Sequence, residues 1–248
     1  MSEAVPKRRS PTRIAVELSY AALALGDLAY QDVPSENAWC DYVKARLGEG
    51  FPFQLTSGNH ESLDVGDGKI NNFSACLPNQ IPGAAGTYGR EYYNDYPAGS
   101  AAPLVRVISI APNLTFEDGL WSYAQGSSHY KWLSAAIDSG RAKGARWIVV
   151  NAHEPCWSVG AYSCPSTKDV YDLVIQKKVD LVLTGHEHAY MRTHQLRAGT
   201  AACPTVPVNG VDADCIVDSD GSFYAGQGTV FATVGTGGVD ERAVNAAD

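Results

Sequence analysis

The chain has 248 residues, 45% of them hydrophobic and 19% charged, with a formal net charge of −8 at pH 7. That length supports one large α/β domain with a substantial core. The negative charge argues against nucleic acid as a main partner, because phosphate backbones attract basic surfaces, and no apolar run reaches the length that spans a bilayer.

Residues 1–12 are polar, basic and proline-containing, and read as a flexible N-terminal segment ahead of a single domain over 13–248. Lys7-Arg8-Arg9 before the apolar stretch Ile14 to Leu25 has the layout of a signal peptide. Glu17 interrupts that stretch, however, and it runs straight into Gly26-Asp27, so a strand is the preferred reading, with Ala21 to Leu25 buried. An aspartate at a strand's C-terminal end faces the crevice where α/β proteins bind ligands. Taken alone it would more often be a turn or N-cap residue. Tyr30 and Asp32 follow closely.

Ser35 to Leu47 reads as a helix, with Ser35 as N-cap and Gly48 as the stop. Trp39, Cys40, Val43 and Leu47 are its inner positions. Phe53 to Thr56 is a short strand that ends in Ser57-Gly-Asn-His-Glu61. Asn59 offers an oxygen ligand, and His60 with Glu61 could form a hydrogen-bonded acid/base pair. Residues 62–102 are rich in Gly, Asn, Pro and Tyr, and most of their tyrosines suit a hairpin packed on a sheet. Val105 to Ile110 is a strand, and Ser128 to Ala142 a helix with Trp132, Ala136 and Ile137 inward. Trp147 to Val150 is a buried strand leading to Asn151-Ala-His153. Ser166-Thr-Lys-Asp169 resembles a capping box that opens a helix reaching about Lys178. Val179 to Leu183 is another buried strand, and Thr184-Gly-His-Glu-His188 follows it. Thr229 to Val234 is the last strand, and Gly235-Thr-Gly-Gly238 after it reads as a turn.

Six cysteines without Cys-x-x-Cys spacing argue against a structural zinc site. Their even number suggests pairing of Cys156 with Cys164, Cys203 with Cys215 and Cys40 with Cys76. The alternative is six reduced thiols of a cytosolic protein. The disulfide reading places the chain in a secreted or periplasmic setting.

Four apolar strands therefore end in metal-ligand chemistry: Asp27 and Tyr30, Asn59 and His60, His153, and His186 with His188. Each residue alone could be structural; the set is hard to explain as core packing. Mixed nitrogen and oxygen donors suit Zn²⁺, Fe or Mn²⁺ better than Ca²⁺. Two such ions can activate a water and stabilise both oxygens of an in-line displacement at phosphorus.

Gly26-Asp-Leu-Ala-Tyr30, Gly58-Asn-His-Glu61, Val150-Asn-Ala-His153 and Gly185-His-Glu-His188 resemble, in order and spacing, the motifs of the calcineurin-like metallophosphoesterases. The tyrosine of the first motif makes the chain look like their purple acid phosphatase branch. The resemblance implies a four-layer α/β/β/α sandwich of two mixed sheets flanked by helices. It implies hydrolysis of a small-molecule phosphate monoester at a dinuclear centre of Fe with Fe, Zn or Mn. Carried over by position, Asp27 is the bridging carboxylate, and Asn59, His153 and His186 hold the divalent metal. Tyr30 and His188 hold the other ion, His60 and Asn59 contact the substrate phosphate, His60 protonates the leaving group, and Glu61 orients His60.

One departure stands out. The family begins with an Asp-x-Gly motif and a helix before Gly-Asp-x-x-Tyr. Here Arg13-Ile-Ala-Val16 resembles the first strand, but Glu17-Leu-Ser19 stands where the motif would be, and ten residues separate Val16 from Asp27. That is too few for a crossover with its helix, so the Tyr30/His188 site lacks a carboxylate, with Glu17 and Asp32 as weak substitutes. Three readings compete: a phosphomonoesterase, a phosphodiesterase or nucleotidase on the same site, and a metal-depleted pseudo-phosphatase holding one ion and turning over little.

Overall fold

A computed structural model describes residues 20–30, 33–160, 164, 168–208, 210 and 212–244. The segment 1–12, the strand read at Arg13 to Val16, Glu17, Asp32 and Ser166 lie outside the described residues.

The elements in chain order begin with β1 (Ala22–Leu23), α1 (Glu36–Leu47), β2 (Phe53–Gln54) and α2 (Ile70–Cys76). Then come β3 (Ala85–Thr87), β4 (Glu91–Tyr96), β5 (Val105–Ser109), β6 (Thr115–Phe116) and β7 (Gly119–Leu120). They are followed by α3 (Ser128–Ala142), β8 (Trp147–Asn151), α4 (Lys168–Gln176) and β9 (Leu181–Thr184). The last are β10 (Tyr190–Arg192), β11 (Gln195–Leu196), β12 (Ile216–Asp218) and β13 (Val230–Val234).

Seven strands form a mixed sheet in the order β10-β13-β9-β8-β5-β4-β3. β13, β9, β8 and β5 run parallel at its centre, and antiparallel strands flank them. Parallel neighbours need crossovers, and α3 and α4 supply two of them. Side chains of one parity are buried along the centre, among them Arg106, Ile108, Ile148, Val150 and Val182. α3 packs on this face: Arg106 reaches from β5 to the Ala136 carbonyl at 2.9 Å and the Ser139 hydroxyl at 2.6 Å. The opposite parity is half-buried at Val105, Val107, Trp147 and Val149, and fully buried only at the strands' C-terminal ends, Ser109 and Asn151. There the parallel pair β1–β2 approaches, joined to the hairpin by a bridge between Thr56 and Gly89. Tyr92 of β4 donates to the Leu55 carbonyl at 2.7 Å. α1 and α2 back this pair, with Trp39 edge-on to Phe53 and Phe73. Mixed sheets with helices outside are thus the observed architecture.

Local chemistry explains most element ends. Ser35 caps α1 by accepting from the Ala38 amide at 3.2 Å, and Ser127 caps α3 by accepting from Tyr130 at 3.1 Å. Gly48 ends α1 with φ 99°, a conformation that favours glycine. The tyrosine-rich stretch forms the β3–β4 hairpin, with Tyr92 buried on the sheet. All three cysteine pairs form: Cys40–Cys76, Cys156–Cys164 and Cys203–Cys215.

Three expectations change. The strand read as buried over Ala21 to Leu25 is only two residues long, and Leu23 is 36% exposed. It pairs with β2 on one edge and has no second partner among the described residues. Trp132 is half-buried rather than inward; it lies at the edge of α3 against Tyr93. α2 was not foreseen, since Ile-Asn-Asn-Phe-Ser-Ala-Cys is a poor helix former. Burial of Ile70 and Phe73 and the Cys76 bridge hold it instead.

Candidate metal centre

Beyond β1 the chain turns at Gly26 and Asp27, with φ of 89° and 51°. A Cβ on Gly26 would lie 2.5 Å from His153 Nδ1 and 2.7 Å from Gly58 Cα. One on Gly58 would lie 2.2 Å from Asp27 Oδ1. The two glycines let both loops close on each other, and Glu61 fastens them. Its buried carboxylate accepts from the amides of Asp27 (2.9 Å), Leu28 (2.8 Å) and Gly58 (2.8 Å). Asp27 Oδ1 in turn accepts from the His60 amide at 3.1 Å.

The other ligands arrive from the sheet. His153 follows β8. His186 and His188 follow β9, and His186 sits at φ 63°. Left-handed backbone at Asp27 and at His186 is a cost that neighbouring contacts must offset, a pattern typical of functional sites. His153 Nδ1 donates to the Leu25 carbonyl at 2.6 Å. His188 Nδ1 donates to the Asp240 carbonyl at 3.1 Å. Each carbonyl fixes the tautomer and leaves Nε2 as the ligating nitrogen.

Around His153 Nε2 stand Asp27 Oδ2 at 3.1 Å, Asn59 Oδ1 at 2.9 Å and His186 Nδ1 at 3.2 Å. One proton cannot satisfy that many facing lone pairs; a cation can. Ligand atoms of Asp27, His153 and His186 all lie within 4.8 Å of one another, so the donor set fits a metal ion. The same oxygen of Asp27 also accepts from the Tyr30 hydroxyl at 3.0 Å, and that hydroxyl lies 3.5 Å from His188 Nε2. A cavity of about 680 Å³ opens onto Asp27, Tyr30, His153, His186 and His188. A cavity of about 710 Å³ lies elsewhere, beside Trp157, Met191 and Phe231, and contains none of the candidate ligands.

The electrostatics fit cation binding. Burial pushes the Asp27 carboxyl up, but the hydrogen bond and charge of His153 and the His60 amide outweigh it and bring it down to about 2. Burial pushes His153 down, and Asp27 more than reverses this. His186 falls to about 4, through burial first and then the charge of His153, so its ring is neutral and ready to ligate. Burial and the Asp27 charge push the Tyr30 phenol up; a nearby cation would reverse that logic.

Every described candidate therefore meets around one carboxylate, with one difference. Glu61 does not orient His60. Its hydrogen bonds go to the three backbone amides named above, and the carboxylate at His60 Nδ1 is Asp67. Tyr30 stacks obliquely on the His60 ring, 4.4 Å between centroids. The carbonyls of Leu25 and Asp240 carry no sequence signal at all. Nor did the sequence reading find Arg242, whose amide donates to the His188 carbonyl at 2.9 Å and whose guanidinium donates to that of His186 at 3.2 Å.

A family model described as calcineurin-like phosphoesterase matches residues 12–190. An uncharacterized protein of Mycobacterium tuberculosis is 28% identical over 230 residues, which cover 87% of this chain and 41% of that protein. The Fe(3+)-Zn(2+) purple acid phosphatase 12 of Arabidopsis thaliana is 28% identical over 234 residues, covering 89% and 45%. Purple acid phosphatase 1 of Ipomoea batatas is 25% identical over 238 residues, covering 89% and 44%. The chain thus spans less than half the length of these relatives. The solved structure of a purple acid phosphatase from yellow lupin (Lupinus luteus) seeds superposes with a TM-score of 0.61 at 18% identity, covering 93% of this chain and 39% of that one. With its matched motifs, its fold and these relatives, the chain belongs to the calcineurin-like phosphoesterase family, in its purple acid phosphatase-like branch.

Proposed function

We propose that the chain hydrolyses phosphate monoesters at a two-metal centre built on Asp27. The observation that carries this reading is the position of Asp27 Oδ2, 3.1 Å from His153 Nε2 and 3.0 Å from the Tyr30 hydroxyl. One carboxylate oxygen thus lies between both ligand groups, where Asp27 would serve either ion. Asn59, His153 and His186 would hold a divalent ion (Fe, Zn or Mn), and Tyr30 with His188 the second ion, ferric iron by analogy with the Arabidopsis relative. When bound, such ions supply Lewis acidity at phosphoryl oxygens and lower the pKa of water.

The protein's own groups do the rest. Asn59 and His60, adjacent on the 3-10 turn Asn59–Glu61, receive the substrate phosphate. His60 Nε2 lies 3.9 Å from Asp27 Oδ2, so that ring edge faces the ligand cluster and can give its proton to the leaving oxygen. Glu61 orders the two loops that carry Asp27 and Asn59. The net negative charge does not oppose a small anionic substrate once cations occupy the site.

The test is elemental analysis and 4-nitrophenyl phosphate hydrolysis by metal-replete chain and its Asp27→Ala and His186→Ala variants. We expect turnover in the parent and at least a ~100-fold loss in both variants. Undiminished activity in the variants would sink the reading. A second reading has its own support: among the described residues the Tyr30/His188 group has no carboxylate besides Asp27, and a single His/Asp group meets metal-ligand spacing. On it the chain holds one ion and turns over little. One metal equivalent after reconstitution, with negligible turnover, would favour it. The ratio of rates on monoester and diester substrates separates the phosphodiesterase alternative.

A further inference from the structure

We propose that Asp67 is the positioning residue of His60, holding the imidazole so that Nε2 presents to the leaving group. The inference rests on the reading that His60 serves a phosphate ester. A carboxylate oxygen of Asp67 meets His60 Nδ1. That oxygen can only accept, so Nδ1 carries a proton and Nε2 is left facing Asp27, 3.9 Å from its Oδ2. Tyr30 covers the ring from the side. The ring is therefore fixed at one nitrogen and on one face, with its other nitrogen directed at the metal ligands.

The loop that delivers Asp67 is held by its backbone. The amides of Asp67 and Gly68 both donate to the His60 carbonyl, at 3.1 and 3.2 Å, closing the loop on the residue it serves. The Gly66 amide donates to the Ser62 carbonyl at 2.8 Å, and the Leu63 amide to the Thr115 carbonyl at 2.9 Å. A Cβ on Gly68 would lie 2.8 Å from the Phe73 ring, so the loop sits tightly on α2. Glu61 and Asp67 divide the labour: Glu61 binds backbone amides and Asp67 binds the imidazole.

Asp67 faces the Nδ1–H, and a proton on Nε2 is the one aimed at the leaving oxygen. As the bond from phosphorus to the leaving oxygen breaks, the oxygen of water forms the new bond to phosphorus. One water proton goes to solvent. The Nε2 proton passes to the leaving oxygen, and the neutral ring, still bonded through Nδ1–H to Asp67, regains a proton from solvent. A carboxylate behind a proton-transferring imidazole orients it and fixes its tautomer without itself taking the proton.

The test uses the metal-replete chain with Asp67→Ala, Asp67→Asn, His60→Ala and the double alanine variant. It records metal per chain, kcat and KM on 4-nitrophenyl phosphate, a good leaving group, and on phenyl phosphate, a poor one. Asp67→Ala should keep its metal and KM, lose about 10- to 100-fold in kcat on phenyl phosphate, and lose less than about threefold on 4-nitrophenyl phosphate. Adding it to His60→Ala should cost nothing more. Asp67→Asn, whose amide oxygen still accepts from Nδ1, should recover part of the loss. Equal loss on both substrates, or loss that tracks missing metal, overturns the proposal.

A second readout is independent of turnover: histidine side-chain NMR on the zinc-exchanged chain. A hydrogen-bonded Nδ1–H, assigned by its disappearance in His60→Ala, should vanish in Asp67→Ala. Its survival there, or its absence from the parent, overturns the proposal. If the signal behaves as expected but no aryl phosphate is hydrolysed, Asp67 stands as the anchor of the ring and the phosphomonoesterase reading falls instead.

Discussion

Asp27 is placed by other residues' backbone and by Glu61, and this makes Glu61 the residue whose loss should be felt most widely. Its carboxylate satisfies the buried amides of Asp27, Leu28 and Gly58. Removing the acceptor leaves those donors unpaired, at about 1–3 kcal/mol each. We predict that Glu61→Ala loses at least about 3 kcal/mol in denaturant unfolding and binds metal weakly, although its hydrogen bonds go to backbone amides. A second residue-scale prediction concerns pH. Arg106 makes a two-pronged contact to the Asp95 carboxylate, at 2.6 and 2.8 Å, and Lys143 adds a third at 2.8 Å. The hydrogen bond to Arg106 first, against a smaller burial effect, and then Lys143 hold Asp95 below the ordinary carboxylate range. A depressed folded-state pKa contributes stability that is present above the unfolded value of about 3.9. That stability is lost as pH falls through the lower folded value. The Tm gap between parent and Asp95→Asn should therefore be widest near neutral pH and shrink below about pH 4. A gap independent of pH would show that the ion pair contributes nothing. At this scale the sequence revealed the ligands, whose residue types declare their chemistry. It did not reveal Asp67 or the carbonyls of Leu25 and Asp240, because any loop offers carboxylates and every residue has a carbonyl.

The elements differ in how far their own residues specify them. α1 and α3 were legible to within a residue, because Ser35 is a side-chain cap that acts locally and Ala136 and Ile137 mark the buried face of α3. α2 was not, because its stability comes from tertiary burial and a covalent tie to α1. That tie gives a prediction by element. The Cys40–Cys76 bridge closes 36 residues and Cys203–Cys215 closes 12. By loop-closure entropy these restrain the unfolded chain by about 4 and about 3 kcal/mol. Replacing Cys40 and Cys76 with alanine should thus lower stability more than replacing Cys203 and Cys215. It should also loosen α2 and the Asp67 loop packed on it, seen as faster amide exchange there. Equal effects would mean that native packing at α2, not the unfolded-state restraint, decides.

For the whole molecule the decisive fact is convergence. The ligand loops follow β1, β2, β8 and β9, and they meet because those strands end on one side of the layered structure. A site assembled from segments so distant in sequence exists only in the folded state, so binding stabilises folding by linkage. We predict that loading with Zn²⁺ or Fe raises Tm in a concentration-dependent way, by the equivalent of about 2.7 kcal/mol at a hundredfold excess over Kd. Chelation should reverse it, and His153→Ala should abolish the response without unfolding the chain. An unchanged Tm on loading would count against any high-affinity site. Three disulfides among the described residues suit an oxidising compartment.

Sequence by itself determined the family, the main helices and central strands and the set of candidate ligands. Each of these is written in residue type at short range or in a fixed order of motifs. Only the tertiary structure decided that Glu61 serves the backbone and Asp67 serves His60, that β1 is a short edge strand, and that one oxygen of Asp27 faces both ligand groups. These depend on distances between loops far apart in the chain, which residue identity does not encode singly. They follow from the close approach of Gly26 to Gly58 and from the way the strands align their ends.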